Sequence, residues 1–165
     1  MASIRPELET KAMSWWKRYP IYQVYPRSFK DANGDGVGDI KGIIQKLDYF
    51  EWLGIKTIWI SPIYKSPMVD FGYDISDYRD IDPLFGNMND FKELVQNIHK
   101  KGMHLLMDFV PNHTSDQHAW FQASKLAKDP YTDYYVWRDG TVDPVTNERR
   151  PPNSVIWYAA DDEQL

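Results

Sequence analysis

Hydrophobic and polar residues follow two different periods along this chain, and the switches between them mark its elements. Pro20-Ile-Tyr-Gln-Val-Tyr-Pro26 is a β-branched and aromatic run bounded by prolines, which predicts a buried strand. Asp31-Ala-Asn-Gly-Asp-Gly-Val-Gly-Asp39 is too rich in Gly and Asp for the interior of either element and predicts a loop. From Asp39 the period lengthens: Ile40, Ile43, Ile44, Leu47, Phe50 and Leu53 form the apolar stripe of a helix, with Asp39 placed to cap it and Gly54 to end it. Lys56–Ser61 predicts a second buried strand, and residues 61–88 a long loop punctuated by Pro62, Pro67, Gly72, Pro83 and Gly86. A second helix is carried by Phe91, Leu94, Val95 and Ile98, with Asp90 and Glu93 at capping-box spacing and Gly102 as its stop. His104–Val110 predicts a third strand ended by Pro111, and residues 117–127 a short helix around Trp120 and Phe121. Residues 1–14 are polar and unpatterned and read as a disordered leader.

The order strand, helix, strand, helix, strand predicts an α/β fold, with crossovers long enough for a right-handed parallel sheet. Near-continuous apolar strands fit a sheet covered on both faces. The long excursions follow strands, whereas the returns from helix to strand are very short. That asymmetry places the elaborated loops at the carboxyl ends of the strands, where α/β proteins bind ligands. An eight-stranded barrel needs about 250 residues. Three strands are therefore either a small open sheet or the first part of something larger, and periodicity does not choose between them.

Composition narrows the function classes. The 165 residues include 7 Trp, 11 Tyr and 7 Phe, too many aromatics for a chain that never buries a core. The absence of cysteine removes disulfides, thiol catalysis and Cys-based zinc sites. Nineteen basic against 24 acidic side chains give a net charge of −5, which repels phosphate backbones and disfavours nucleic acid as a partner. No apolar run reaches the ~18 residues of a membrane span. The N-terminus has neither a basic start nor an apolar stretch, so no signal peptide is read. A cytoplasmic chain is the literal expectation, and a missing true N-terminus would give the same picture.

Three clusters could carry chemistry. The first is the loop from Asp31, with side-chain oxygens at Asp31, Asn33, Asp35 and Asp39, the Val37 carbonyl, and glycines between them. Alternating oxygens in a glycine-bent loop can converge on a hard cation, calcium before magnesium. The match to a helix-loop-helix calcium loop stops short, because its twelfth position is Gly42 rather than Glu. The plainer alternative is a turn whose Asp and Asn side chains cap backbone. The second cluster, Asp70-Phe-Gly-Tyr73-Asp74-Ile-Ser-Asp77-Tyr78-Arg79-Asp80, interleaves carboxylates and rings in a way that suits a sugar. Its alternative is an aromatic-rich surface loop with solvated charges. The third, Asp108-Phe-Val-Pro-Asn112-His113, runs off the third strand, so that His113 stands where a substrate would sit or is simply bonded to neighbouring backbone.

These clusters, with Trp15-Trp-Lys, Tyr22-Gln-Val-Tyr-Pro-Arg-Ser-Phe29 and Gly54-Ile-Lys-Thr-Ile-Trp-Ile-Ser-Pro62, occur in an order that resembles the N-terminal part of glycoside hydrolase family 13, in its α-glucosidase and oligo-1,6-glucosidase group. The resemblance covers roughly residues 14–152; Asn153–Leu165 departs from it. It implies the first three βα units of a (β/α)8 TIM barrel over residues 15–113, and over 114–165 the start of the domain inserted after strand 3. It implies that Asp70, Tyr73 and His113 hold the glucose whose bond is cut. Asp31, Asn33, Asp35, Val37 and Asp39 become a structural metal loop for calcium or magnesium. The expected substrate is an oligosaccharide, hydrolysed with retention by two carboxylates that in the family follow the fourth and fifth strands. No such pair is expected in these 165 residues, and the chain alone is expected to be inactive. Trp15-Trp-Lys-Arg-Tyr-Pro20 also resembles the heavy-chain subunits of heteromeric amino-acid transporters, non-enzymatic proteins with the same barrel.

Overall fold

The computed structural model describes residues 14–138 and 140–150. The leader, apart from Ser14, and the stretch Asn153–Leu165, expected to depart from the family, lie outside these. The described residues form two compact units, one running up to residue 63 and again over 80–109, the other over 64–79 and from 110 onward.

The first unit holds a parallel sheet of β1 (Ile21–Val24), β2 (Thr57–Ile60) and β5 (His104–Met107), in the order β1-β2-β5. Ile21 pairs with Thr57 and Thr57 with His104, so the three strands start level. In central β2, Thr57, Ile58 and Ile60 are buried. In the flanking strands burial is weaker than the sequence predicts: Ile21 is 46% exposed and every residue of β5 is half-buried. Among the described residues, each flanking strand has a strand neighbour on one side only.

Pro26 does not end the first strand's run as a breaker; it opens a short helix, α1 (Pro26–Phe29), at the first-turn position where a missing N–H costs nothing. The helix predicted over Ile40–Leu53 is two helices, α2 (Ile40–Gln45) and α3 (Leu47–Trp52). They part at Lys46, whose N–H bonds to Ile43 O three residues back, a 3-10 tightening that still buries Leu47 and Phe50. Phe50 stacks on Phe29 (5.4 Å between centroids, 9° between planes) and meets Tyr22 edge-on at 5.1 Å, tying α1 and α3 to β1.

The second helix, α4 (Met88–Lys100), starts earlier than its apolar stripe. Its capping box is Asn87 with Asp90, not Asp90 with Glu93: the Asn87 side chain accepts from the Asn89 and Asp90 N–H groups while Asp90 takes the Asn87 N–H at 3.0 Å. Leu94 and Ile98 of α4 are fully buried. The 61–88 stretch is not all loop: β3 (Tyr64–Lys65) and β4 (Asp77–Ile81) pair as a two-stranded sheet, too short and too polar to register as strands by pattern.

In the second unit, α5 (Ala119–Lys125) matches the predicted short helix. His118 caps it, its Nδ1 accepting from the Trp120 N–H at 3.1 Å. That bond needs an unprotonated Nδ1, and burial pushes the His118 pKa down against the opposing charge of Asp77. Phe121 of α5 meets Tyr135 and Trp137, and Trp137 Nε1 donates to Ser124 Oγ at 2.8 Å. A hairpin of β6 (Thr141–Val142) and β7 (Arg149–Arg150) follows.

Candidate functional site

In the second unit, Asp70 and Tyr73 are the first and fourth residues of one turn. The Tyr73 N–H donates to Asp70 O at 3.0 Å, and both central residues have positive φ, Phe71 at 52° and Gly72 at 98°. These are the φ signs of a type I′ turn, which glycine, asparagine and aspartate normally supply. Asp70 is exposed and Tyr73 half-buried, so one turn carries both a carboxylate and a phenol ring.

Asp74 ties this turn from behind. Its Oδ1 accepts from Ser66 Oγ (2.8 Å) and the Asp70 N–H (3.1 Å), and its Oδ2 from the Val69 N–H (2.9 Å). Burial pushes the carboxyl pKa up, but the Ser66 hydroxyl and the Val69, Asp70 and Asp74 N–H groups outweigh it and hold it below the ordinary carboxylate value. A depressed folded pKa means that the stabilisation is present above the ordinary carboxylate range and is lost as pH falls through the lowered value.

His113 meets the same turn. Its Nε2 lies 3.1 Å from Tyr73 O and its Nδ1 3.3 Å from Asn112 Nδ2. With the Asn112 amide donating, Nδ1 is the acceptor and Nε2 carries the proton given to Tyr73 O. The segment reaching His113 is fixed by Tyr78, whose hydroxyl lies 2.7 Å from both Val110 O and His113 O. A phenol has one proton, so the two carbonyls share it. Burial, then the neighbouring Tyr135 and Tyr64, push the Tyr78 pKa up and keep that proton in place. All three residues expected to hold sugar therefore stand in one compact unit, two of them in direct contact. Asp74 and Tyr78, within the same sequence cluster, carry the support; their side chains reach residues four to 35 positions away, which spacing does not reveal.

The 31–39 loop belongs to the first unit. Asp31 Oδ1 accepts from the Asn33 and Gly34 N–H groups (3.0 and 2.6 Å) and its Oδ2 from the Gly36 N–H (2.8 Å). The Gly36 and Gly34 bonds foremost hold its pKa below the ordinary value; burial opposes them, and the Asn33 bond and the charge of Lys30 add to the lowering. Asn33 Oδ1 accepts from the Asp35 N–H, and Asp35 Oδ1 from the Val37 N–H. Asp39 caps α2 as expected, accepting from the Gly42 N–H at 2.6 Å and also from the Ala32 N–H at 3.1 Å. The donor chemistry, all oxygen and anionic at Asp31, suits a hard cation. Among the described residues, no three His, Asp or Glu side chains stand together as a metal-holding group. In this arrangement the aspartates face N–H groups.

Asp108 lies just past the end of β5, not within it, and its Oδ2 accepts from Trp59 Nε1 at 3.2 Å. It is a brace between β2 and the segment leaving β5.

Along the chain, β2 leads on to the Asp70–Tyr73 turn and β5 to the His113 segment, a succession found in α/β enzymes. The family model of the alpha-amylase catalytic domain matches residues 23–163, and the chain belongs to that family, glycoside hydrolase family 13. It is 56% identical over 145 residues to Maltase 1 of Drosophila virilis, covering 87% of this chain and 23% of that protein. Oligo-1,6-glucosidase of Parageobacillus thermoglucosidasius is 60% identical over 127 residues, or 76% of this chain and 23% of the enzyme. The human amino acid transporter heavy chain SLC3A1 is 53% identical over 147 residues, 89% of this chain and 21% of that protein. Among solved structures, the trehalulose synthase MutB from Pseudomonas mesoacidophila superposes with a TM-score of 0.75 at 56% identity, covering 78% of this chain and 23% of that one. An isomaltulose synthase mutant from Erwinia rhapontici in complex with sucrose gives 0.76 at 58% identity, over 79% of this chain and 23% of that one. The chain thus spans about a quarter of the length of these relatives. No helix among the described residues is long and apolar enough to cross a membrane.

Proposed function

We propose that this chain forms the first three βα units of a (β/α)8 barrel and supplies the sugar-holding part of a retaining α-glucosidase site acting on terminal α-linked glucose. The observation that carries this reading is the His113 Nε2 contact with Tyr73 O at 3.1 Å, which brings the imidazole against the backbone of the turn that carries Asp70 and Tyr73. Tyr73 offers a ring face to the apolar face of a pyranose, while Asp70 and His113 bond its hydroxyls. The attacking and protonating carboxylates, about 5–5.5 Å apart in a retaining enzyme, come from strands that follow these three. The names of Maltase 1 and Oligo-1,6-glucosidase support a glucosidase. SLC3A1, at nearly the same identity, supports the second reading, a transporter heavy chain that shares the barrel without the chemistry. The Asp70, Tyr73 and His113 set favours the enzyme, because a scaffold has no use for it.

The test is maltose titration of the chain followed by NMR, with glucose release assayed in parallel. Millimolar binding that is lost in Tyr73→Ala and His113→Ala, with no glucose released, is the expected result. Absence of binding overturns the sugar reading, and maltose hydrolysis by the purified chain overturns its inactivity.

The same reading gives the 31–39 loop one calcium ion, held by Asp31, Asn33, Asp35, Val37 O and Asp39 once their oxygens turn from the N–H groups. Its contribution there is structural, a clamp on the loop that precedes α2. Calcium should raise amide protection at Gly34 and Gly36 where potassium does not, and identical protection in millimolar calcium and in chelator would refute the assignment.

A further inference from the structure

The turn that presents Asp70 and Tyr73 has a backbone that its own residues disfavour. Met68 (φ 61°) and Phe71 (φ 52°) both sit in the left-handed region, where a side chain crowds the following carbonyl. Such conformations persist only where surrounding contacts over-determine them, and they collect where geometry matters to function. Phe71 gains no burial in return: it is 66% exposed, and nearby Val69 82%, while Met68 is half-buried.

The contacts that over-determine the turn meet at a single group. The Asp74 carboxylate takes the Val69 N–H on one oxygen and the Asp70 N–H with the Ser66 hydroxyl on the other. Ser66 Oγ in turn accepts from the Met68 N–H at 2.9 Å, so both left-handed residues lie inside bonds that end on Asp74 or on its partner. Charge-assisted bonds of this kind are the strong ones, and three on one carboxylate fix the direction in which residues 69 and 70 leave the loop.

From this geometry we infer that Asp74 is a positioning residue for sugar recognition: its carboxylate holds the strained turn so that the Asp70 carboxylate and the Tyr73 ring face the same hexose. The inference rests on the sugar reading above. It also makes a distinction that a generic stabilising role does not. In Asp74→Asn one oxygen remains, and it can serve the Ser66–Asp70 pair or the Val69 N–H but not both, because the amide nitrogen only donates.

The experiment measures hydrogen exchange and maltose affinity on the full chain, for the wild type, Asp74→Asn and Asp74→Ala, with β2 and α4 amides as the control for folding. In Asp74→Ala, protection at both Val69 and Asp70 should fall at least tenfold and maltose affinity should fall about as much, with β2 and α4 unchanged. In Asp74→Asn, one of the two amides should keep its protection and the other lose it, with an intermediate affinity. Unchanged protection in Asp74→Ala overturns the inference. So does lost protection with wild-type affinity, because the turn would then not be what the sugar reads. Equal loss at both amides in Asp74→Asn assigns Asp74 a general structural role and also overturns it. If the wild type binds no maltose, the sugar reading itself fails and takes this inference with it, whatever the exchange data give.

Discussion

The loops at residues 31–39 and 66–74 are built on the same device and differ in how they pay for it. In each, aspartate carboxylates gather backbone N–H groups: Asp31 takes three, and Asp74 takes two and a hydroxyl. The first loop puts glycine at its left-handed positions, Gly34 (φ 85°) and Gly36 (φ 90°). The second puts Met68 and Phe71 there, with only Gly72 (φ 98°) in the residue type that suits it. One loop is relaxed by composition, the other held against its own preference. Of the two loops, the strained one carries the sugar-holding candidates, and the relaxed one serves as a fastening for α1 and α2.

That fastening depends on close backbone approach, and breaking it should give the largest effect. A β-carbon at Gly42 would stand 1.8 Å from Lys30 O, well inside any allowed contact with backbone. Gly42→Ala must therefore push α2 away from Lys30 and cost about 3 kcal/mol, at the upper end of overpacking. The Gly42 N–H bond to Asp39 and the Asp39 N–H bond to Lys30 O lie at the point of strain. Protection at Gly42 and Asp39 should fall about a hundredfold by hydrogen exchange, while Val69 and Asp70 stay unchanged. A loss below tenfold would show that α2 yields easily and that the fastening is loose.

The difference between the two loops also governs what could be read from the sequence. Glycine and aspartate alternating from Asp31 to Asp39 announce a loop, and Asp39 announces a cap, because both effects act between residues close in the chain. The clusters that hold Asp70, Tyr73 and His113 stand out by residue type beside apolar strands, and the resemblance to the family is what selects these three within them. What stayed hidden has long reach or no local signal. Nothing local tells Asp74 from Asp77, and Tyr78 acts on Val110 and His113, 32 and 35 residues away. The positive φ of Phe71 runs against the rule that reads turns from glycine and asparagine. The break at Lys46 was missed because the apolar stripe continues through it, and the capping box shifted because Asn87 precedes that stripe.

A smaller effect tests the relaxed loop on its own terms. A β-carbon at Gly36 would meet nothing within 4 Å, so Gly36→Ala isolates the backbone conformation. The left-handed penalty is about 1–2 kcal/mol, reduced by the stiffer unfolded chain by about 0.4–1 kcal/mol. Protection at Gly34 and Gly36 should drop roughly fivefold, about 1 kcal/mol. If it does not change, the left-handed position carries no cost here and the contrast between the loops loses its meaning.

The mirror substitution gives the smallest effect and should carry the opposite sign. Phe71→Gly removes a side chain that is 66% exposed, so little packing is lost, and it places the one residue that adopts φ 52° without strain. Relief of about 1–2 kcal/mol is offset by the greater freedom of glycine in the unfolded chain, about 0.5–1 kcal/mol. The net gain is about 0.5–1 kcal/mol, read as a two- to fivefold rise in protection at Val69, Asp70 and Tyr73. Because Asp74 still supplies its three bonds, the turn keeps its shape and becomes easier to hold. A fall in protection at these amides would mean that the Phe71 ring, and not the Asp74 carboxylate, stabilises the turn, so that residue 71 is retained for packing and the strain argument does not apply there.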